Sequence, residues 1–173
     1  MIRLREFNMA ELEYFIDPET EEPHDLSLWA STEVQLVPAE GDAFAAPIPT
    51  ALAQGIILHP TVAWFMARTY DLMLALGVDA EKLRFRQHAR DEMAHYALDC
   101  WDVELHGSYG WIECVGIAHR GCYDLEAHEK ATGQRLRAWR HYPQPKVVEI
   151  NGWTIDGAKA GPAFRSLAGQ VLS

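Results

Sequence analysis

Apolar residues recur at helical spacing along residues 61–76, where Val62, Phe65, Met66, Met73 and Leu76 share one side. Pro60 precedes this run and Gly77 follows it, so both ends carry the usual start and stop signals of a helix. A second helix is predicted over residues 91–105 from the spacing of Met93, Tyr96, Ala97, Cys100 and Trp101. Strands are expected where the period drops to two. Residues 2–7 and 83–86 alternate apolar and charged positions, and residues 111–118 form a nearly continuous apolar run after a turn at Gly107-Ser108-Tyr109-Gly110.

The intervening segments are less regular. Residues 8–15 mix apolar positions with carboxylates and stop at Asp17-Pro18, and residues 19–25 read as an acidic surface excursion. Residues 27–58 contain Pro38, Pro47 and Pro49, which predicts an irregular insertion with one short strand at 33–37. The tail supplies a strand at 146–150 and a helix at 162–172. The whole pattern is α+β, an antiparallel β-sheet flanked by helices. Residues 1–173 form one domain, with about 19–60 and 130–173 as insertions.

Charge narrows the function classes. The net charge of −10 argues against a free-standing DNA or RNA binder, because phosphate contacts need clustered Lys and Arg. An RNA contact within a larger protein stays compatible with it. No apolar run reaches the length of a membrane span, and Met1-Ile2-Arg3-Leu4-Arg5 lacks the apolar stretch of a signal peptide. Cys100, Cys114 and Cys122 are odd in number and form no CxxC pair, which points to the cytoplasm rather than to a disulfide framework.

Among the chemistry-bearing residues Glu113 is the most informative. It sits in Trp111-Ile112-Glu113-Cys114-Val115-Gly116-Ile117-Ala118, where dehydrating a carboxylate costs several kcal/mol unless it is paired or binds a cation. A structural ion pair, with Arg120 or an arginine of another strand, competes evenly with a metal–nucleotide role. Arg120 ends that run and can hold a carboxylate through two parallel hydrogen bonds; a surface ion pair is the plainer reading. Arg3, Arg5 and Phe7 alternate onto one face, as a triphosphate and a stacked base would need, or as a solvated edge strand would show. His95, Cys100, His106, Cys114, His119, Cys122 and His128 show no zinc-site spacing, Cys122 has no nucleophile signature around it, and no Walker or Rossmann glycine fingerprint is present.

The order of these signals is more specific than any one of them. Arg3-Leu4-Arg5-Glu6-Phe7-Asn8-Met9-Ala10-Glu11-Leu12-Glu13-Tyr14-Phe15-Ile16-Asp17-Pro18 resembles the second half of motif 2 in class II glycyl-tRNA synthetases of the archaeal and eukaryotic type. Leu83-Arg84-Phe85-Arg86-Gln87-His88, Glu92-Met93-Ala94-His95-Tyr96-Ala97 and Asp99-Cys100-Trp101-Asp102 resemble the next block of that family. Residues 110–120, with Tyr123-Asp124-Leu125 and His128, resemble the strand and turn after it, and Pro145-Lys146-Val147-Val148 with Gly161-Pro162-Ala163-Phe164 resembles the start of a family insertion.

The resemblance implies an ATP- and Mg2+-dependent ligase of the catalytic-core type that activates glycine and passes it to tRNA-Gly. It implies that Arg3 meets the ATP phosphates, Phe7 stacks on adenine and Glu113 belongs to the magnesium–ATP region. It also implies that Glu11 holds the glycine ammonium group and that Arg120 binds on the glycine carboxylate side. Motif 1, the first half of motif 2 and motif 3 have no counterpart in this sequence. The resemblance implies an arginine in each of motifs 2 and 3 that is absent with them; each such donor is typically worth ~3 kcal/mol of transition-state stabilisation, so no useful charging is expected of this chain alone. Association with itself or with the missing synthetase segments is expected. An accessory nucleotide, amino-acid or tRNA binder, or activation for a non-tRNA acceptor, are the alternative functions.

Overall fold

The structure is a computed structural model that describes residues 7–17, 24–139, 141, 144–145, 147–149, 152 and 155–165. The chain divides into two units, Met1–Leu136 and Arg137–Ser173. In the first, strands β1 (Glu33–Val37), β2 (Phe44–Pro47), β3 (Leu83–Gln87), β4 (Asp99–Gly107) and β5 (Gly110–His119) form one sheet in the order β2-β1-β3-β4-β5. Helices α1 (Ile48–Ala53), α2 (Pro60–Ala75) and α3 (Tyr123–Thr132) belong to the same unit. The fold is α+β as expected, but the sheet is mixed: β1 runs parallel to β3, and the other neighbours are antiparallel. A parallel pair needs a crossover, and the segment holding β2, α1 and α2 provides it.

Residues 27–58 are therefore more ordered than their prolines suggested. The strand at 33–37 is present, and β2 and α1 accompany it. Pro47 and Pro49 do not break this region, since they sit at the N-cap and at the first turn of α1, where a missing N–H is harmless. Helix α2 starts as predicted, with Pro60 in its first turn and the His59 side chain accepting from the Thr61 N–H at 3.2 Å. Its buried face is Val62, Ala63, Met66, Ala67, Tyr70 and Met73. Phe65 borders that face and meets Tyr14 edge-on at 5.6 Å, whereas Leu76 is exposed.

The core lies between α2 and one face of the sheet. Val34 and Leu36 from β1, Leu83 and Phe85 from β3, and Trp101 and Val103 from β4 alternate onto it. Burying a side chain such as Phe85 contributes roughly 1.5–3 kcal/mol. The expected helix over 91–105 is not there. Residues 91–98 make turns and β4 begins at Asp99. The spacing of Cys100 and Trp101 matched a helix by coincidence, while the real signal was period two, with Trp101 and Val103 inward and Asp102 and Glu104 on the reverse. The turn at 107–110 and the strand after it are as expected, with Gly110 at φ 95°.

The second unit contains α4 (Gly157–Phe164), which overlaps the start of the helix expected at 162–172; residues 166–173 lie outside the described set. Of the expected strand at 146–150, Lys146 and Ile150 lie outside that set and residues 147–149 are not in a strand. No described helix is long and apolar enough to cross a membrane.

Candidate functional site

The sheet face turned away from the core is charged. Cross-strand register pairs Arg84 with Glu104 and Arg86 with Asp102, which puts each cation beside a carboxylate. Arg84 Nε donates to Glu104 Oε2 at 2.6 Å, and its guanidinium lies 4.1 Å over the Trp111 ring. Arg86 donates to Glu92 at 2.9 Å and to Asp102 at 3.4 Å, and its Nε lies 3.4 Å from the second oxygen of Glu104. Burial lowers the pKa of Arg86, but the hydrogen bond and charge of Glu92, with Asp102 and Glu104, outweigh it and hold the group above its ordinary value. Glu92 is held below the usual carboxylate range by the Ala89 backbone N–H and then by Arg86. His88 follows β3, and its Nε2 lies 2.8 Å from Asp102 Oδ2.

Glu113 joins this face through a bulge. Val103 pairs with Val115 while Glu104 pairs with Glu113, so Cys114 is an extra residue on β5. Its Sγ–H donates to the Val103 carbonyl at 3.0 Å. Were Cys114 paired in a regular, unbulged strand, Glu113 would share parity with Val115 and Ile117, which pack against the core. With it, the half-buried Glu113 lies on the same side as Glu104, and a Cβ on Gly116 would stand 4.0 Å from its carboxylate. Two guanidinium groups and four carboxylates (Glu92, Asp102, Glu104 and Glu113) leave this face with surplus negative charge.

The other expected site residues that the structure describes lie elsewhere on the first unit. Arg3 and Arg5 are outside the described residues. Phe7 and Glu11 belong to an exposed stretch without regular secondary structure, and Phe7 is 57% accessible. Glu13, two residues on, lies 3.7 Å from Arg120. Arg120 leaves the end of β5, donates to Asp124 at 3.0 Å and covers the Tyr96 ring at 4.7 Å. At about 3.3 Å per residue, Arg120 stands roughly 20 Å along the strand from Glu113, too far for the two to pair. Thus the structure joins Glu13 to Arg120 and Glu113 to Glu104. A cleft of about 580 Å³ opens beyond β3, lined by Leu58, Gln87, His88, Leu98 and Asp99 among others; Phe7, Glu11, Glu113 and Arg120 do not line it.

Sequence reasoning singled out neither Arg84 and Arg86 nor Asp102 and Glu104. The signal was present: carboxylates alternating with Trp101 and Val103 would have marked a strand whose polar face matches the arginines of β3.

No family model matches the chain. Curated proteins do match it. A glycine–tRNA ligase of Bombyx mori is 45% identical over 170 residues, 95% of this chain and 23% of that protein. One from Archaeoglobus fulgidus is 45% identical over 172 residues, 99% of this chain and 30% of that protein. A Saccharomyces cerevisiae protein named glycine–tRNA ligase 1, mitochondrial, is 40% identical over 181 residues, all of this chain and 26% of that protein. The chain spans about a quarter to a third of the length of these relatives. Identity at this level, sustained along nearly the whole sequence, makes the chain homologous to a part of the glycine–tRNA ligases of eukaryotes and archaea.

Proposed function

We propose that the charged sheet face is part of a site that condenses glycine with ATP and hands the glycyl group to tRNA-Gly. The observation that carries this reading is the bulge at Cys114, which turns the one acid of an apolar strand onto a polar face beside Glu104. In the activating step a glycine carboxylate oxygen attacks the α-phosphorus of ATP, a P–O bond forms and the bond to pyrophosphate breaks. The protein's part is orientation and charge stabilisation at the α-phosphate, with no covalent nucleophile of its own.

The residues suit the groups this chemistry needs. Mg2+ takes hard oxygen ligands, and Glu113 offers them on a face with surplus negative charge, Glu104 being engaged by Arg84 and Arg86. When bound, the cation would offset phosphate charge. Phe7 presents an open aromatic face on which adenine can stack, and Arg3 would meet the phosphates. The carboxylate of Glu11 suits an ammonium group. Arg120 already holds two carboxylates, so it suits a third in the form of glycine. We place the protein in the cytoplasm, on three thiols that are all free. The exposed Phe7, Met9, Leu12 and Phe15 are the surface we assign to a second copy or to further synthetase segments.

The test is calorimetric titration with a non-hydrolysable glycyl-adenylate mimic in the presence of Mg2+. Saturable binding that weakens at least tenfold in Glu113→Gln and in Arg120→Ala is expected. Equal binding by both variants and the unaltered chain, or binding of larger aminoacyl-adenylate mimics just as well, would overturn the reading.

A further inference from the structure

One cluster at the β3–β4 end of the charged face contains none of the residues assigned to glycine or ATP. His88, Cys100 and Asp102 each offer one ligand atom, and these atoms all lie within 4.8 Å of one another. The sheet itself builds this arrangement. Cys100 and Asp102 are two apart on β4, so they share a face, and Gln87 pairs with Trp101, which sets His88 beside Cys100. The His88 backbone N–H donates to the Cys100 carbonyl at 2.9 Å and fixes that register past the end of β3. Asp102 is 5% exposed, and Cys100 is half-buried.

We propose that His88, Cys100 and Asp102 form a binding site for a borderline-soft divalent cation of the zinc type, with its fourth position open. The donor set is one imidazole nitrogen, one sulfur and one carboxylate oxygen, which suits Zn2+ and does not suit Mg2+. Bond lengths of about 2.0–2.3 Å in a tetrahedral site place ligand atoms ~3.3–3.7 Å apart. The His88 Nε2 to Asp102 Oδ2 separation of 2.8 Å must open by about half an ångström, and the sulfur, within 4.8 Å of both, must close by at most about one. Side-chain torsions are the only movement this requires of a fixed sheet. Arg86, 3.4 Å from Asp102, opposes a cation, but Glu92 and Glu104 also hold its guanidinium. The 580 Å³ cleft that His88 lines gives water or a ligand access to the cluster. This site does not rest on the ligase reading, since none of the residues assigned to glycine or ATP takes part in it.

The experiment titrates the purified, chelator-stripped chain with Co2+ as a spectroscopic probe and then with Zn2+. A near-ultraviolet thiolate-to-cobalt band that saturates at one ion per chain and is displaced by one equivalent of Zn2+ is expected. Cys100→Ser should abolish the band, His88→Ala should weaken affinity roughly tenfold or more, and Cys122→Ser should leave both unchanged. Zn2+ should also slow alkylation of Cys100, read by peptide mass spectrometry on the unaltered chain, which keeps the test decisive if Cys100→Ser misfolds. Absence of the band at millimolar Co2+, its survival in Cys100→Ser, or unprotected alkylation of Cys100 would each overturn the proposal.

Discussion

Glu113 stands opposite Glu104 across the β4–β5 ladder, and it does so because Cys114 is one residue too many for a regular strand. Two carboxylates directly opposite each other repel, so the arrangement persists on the strength of its surroundings. Arg84 and Arg86 reach Glu104 from β3 and neutralise much of its charge. The bulge thus decides which side of the sheet receives the acid, and the arginines make that side tolerable for it.

Removing Cys114 from the chain should restore a regular ladder and leave the faces as they are. Glu113 would then adjoin Val115 and still stand opposite Glu104, with Ile112 still opposite Leu105. Cys114→Ala keeps the residue count and loses only the Sγ–H bond to the Val103 carbonyl; its cost should stay near 1 kcal/mol. The deletion loses the same bond, so urea unfolding should place it within about 1 kcal/mol of the alanine variant. A loss of roughly 3 kcal/mol or more in the deletion alone, the cost of turning an unpaired carboxylate toward the core, would contradict this account of the bulge.

Asp99 fastens the start of β4 to two other segments. It is 1% exposed, and its carboxylate accepts from the Leu58 N–H at 3.1 Å and from the Gln87 amide at 3.0 Å. Asp99→Ala strands both donors, and hydrogen bonds to a charged group are worth roughly 1.5–3 kcal/mol each. A loss of about 3 kcal/mol in chemical denaturation is expected. Asp99→Asn retains one acceptor oxygen and should lose about half as much. Hydrogen exchange at the Leu58 amide should accelerate in the alanine variant, which separates this mechanism from general loosening.

The parts of the fold that were legible in the sequence are those where one period dominates. Helix α2 announced itself through Pro60 and Gly77, β3 through alternation, and β5 through a nearly continuous apolar run after a glycine turn. The segment at 91–105 misled because Met93, Tyr96 and Cys100 lie in a turn-rich loop and a strand yet are spaced as on a helix. The bulge was invisible, since the extra residue Cys114 and its neighbours Ile112 and Val115 are all apolar and parity cannot be read from them. For the site, Glu113 stood out through its chemistry. Its neighbours on the charged face required the β3–β4 register, which no local pattern states. His88 escaped notice as a ligand for the same reason, since twelve residues of sequence separate it from Cys100.

The thiol of Cys100 gives a pH readout of that face. Burial pushes its pKa up to about 11, and the charges of Asp102, Asp99 and Glu113 push the same way against Arg86. With a chelator present, alkylation of Cys100 in the native chain should stay slow at pH 8 and keep accelerating until the pH approaches 11, because the thiolate is the nucleophile. The sign for stability follows from proton binding. Between the unfolded value near 9 and the folded value near 11, the folded chain holds a proton that the unfolded chain has lost. This thiol therefore lowers stability as pH rises through that window and leaves it unchanged below. Neutralising an adjacent charge offers a direct check: Asp102→Asn should bring the alkylation midpoint down. A midpoint that stays in place in this variant, with the fold intact by circular dichroism, would show that the carboxylates of β4 do not act on the sulfur.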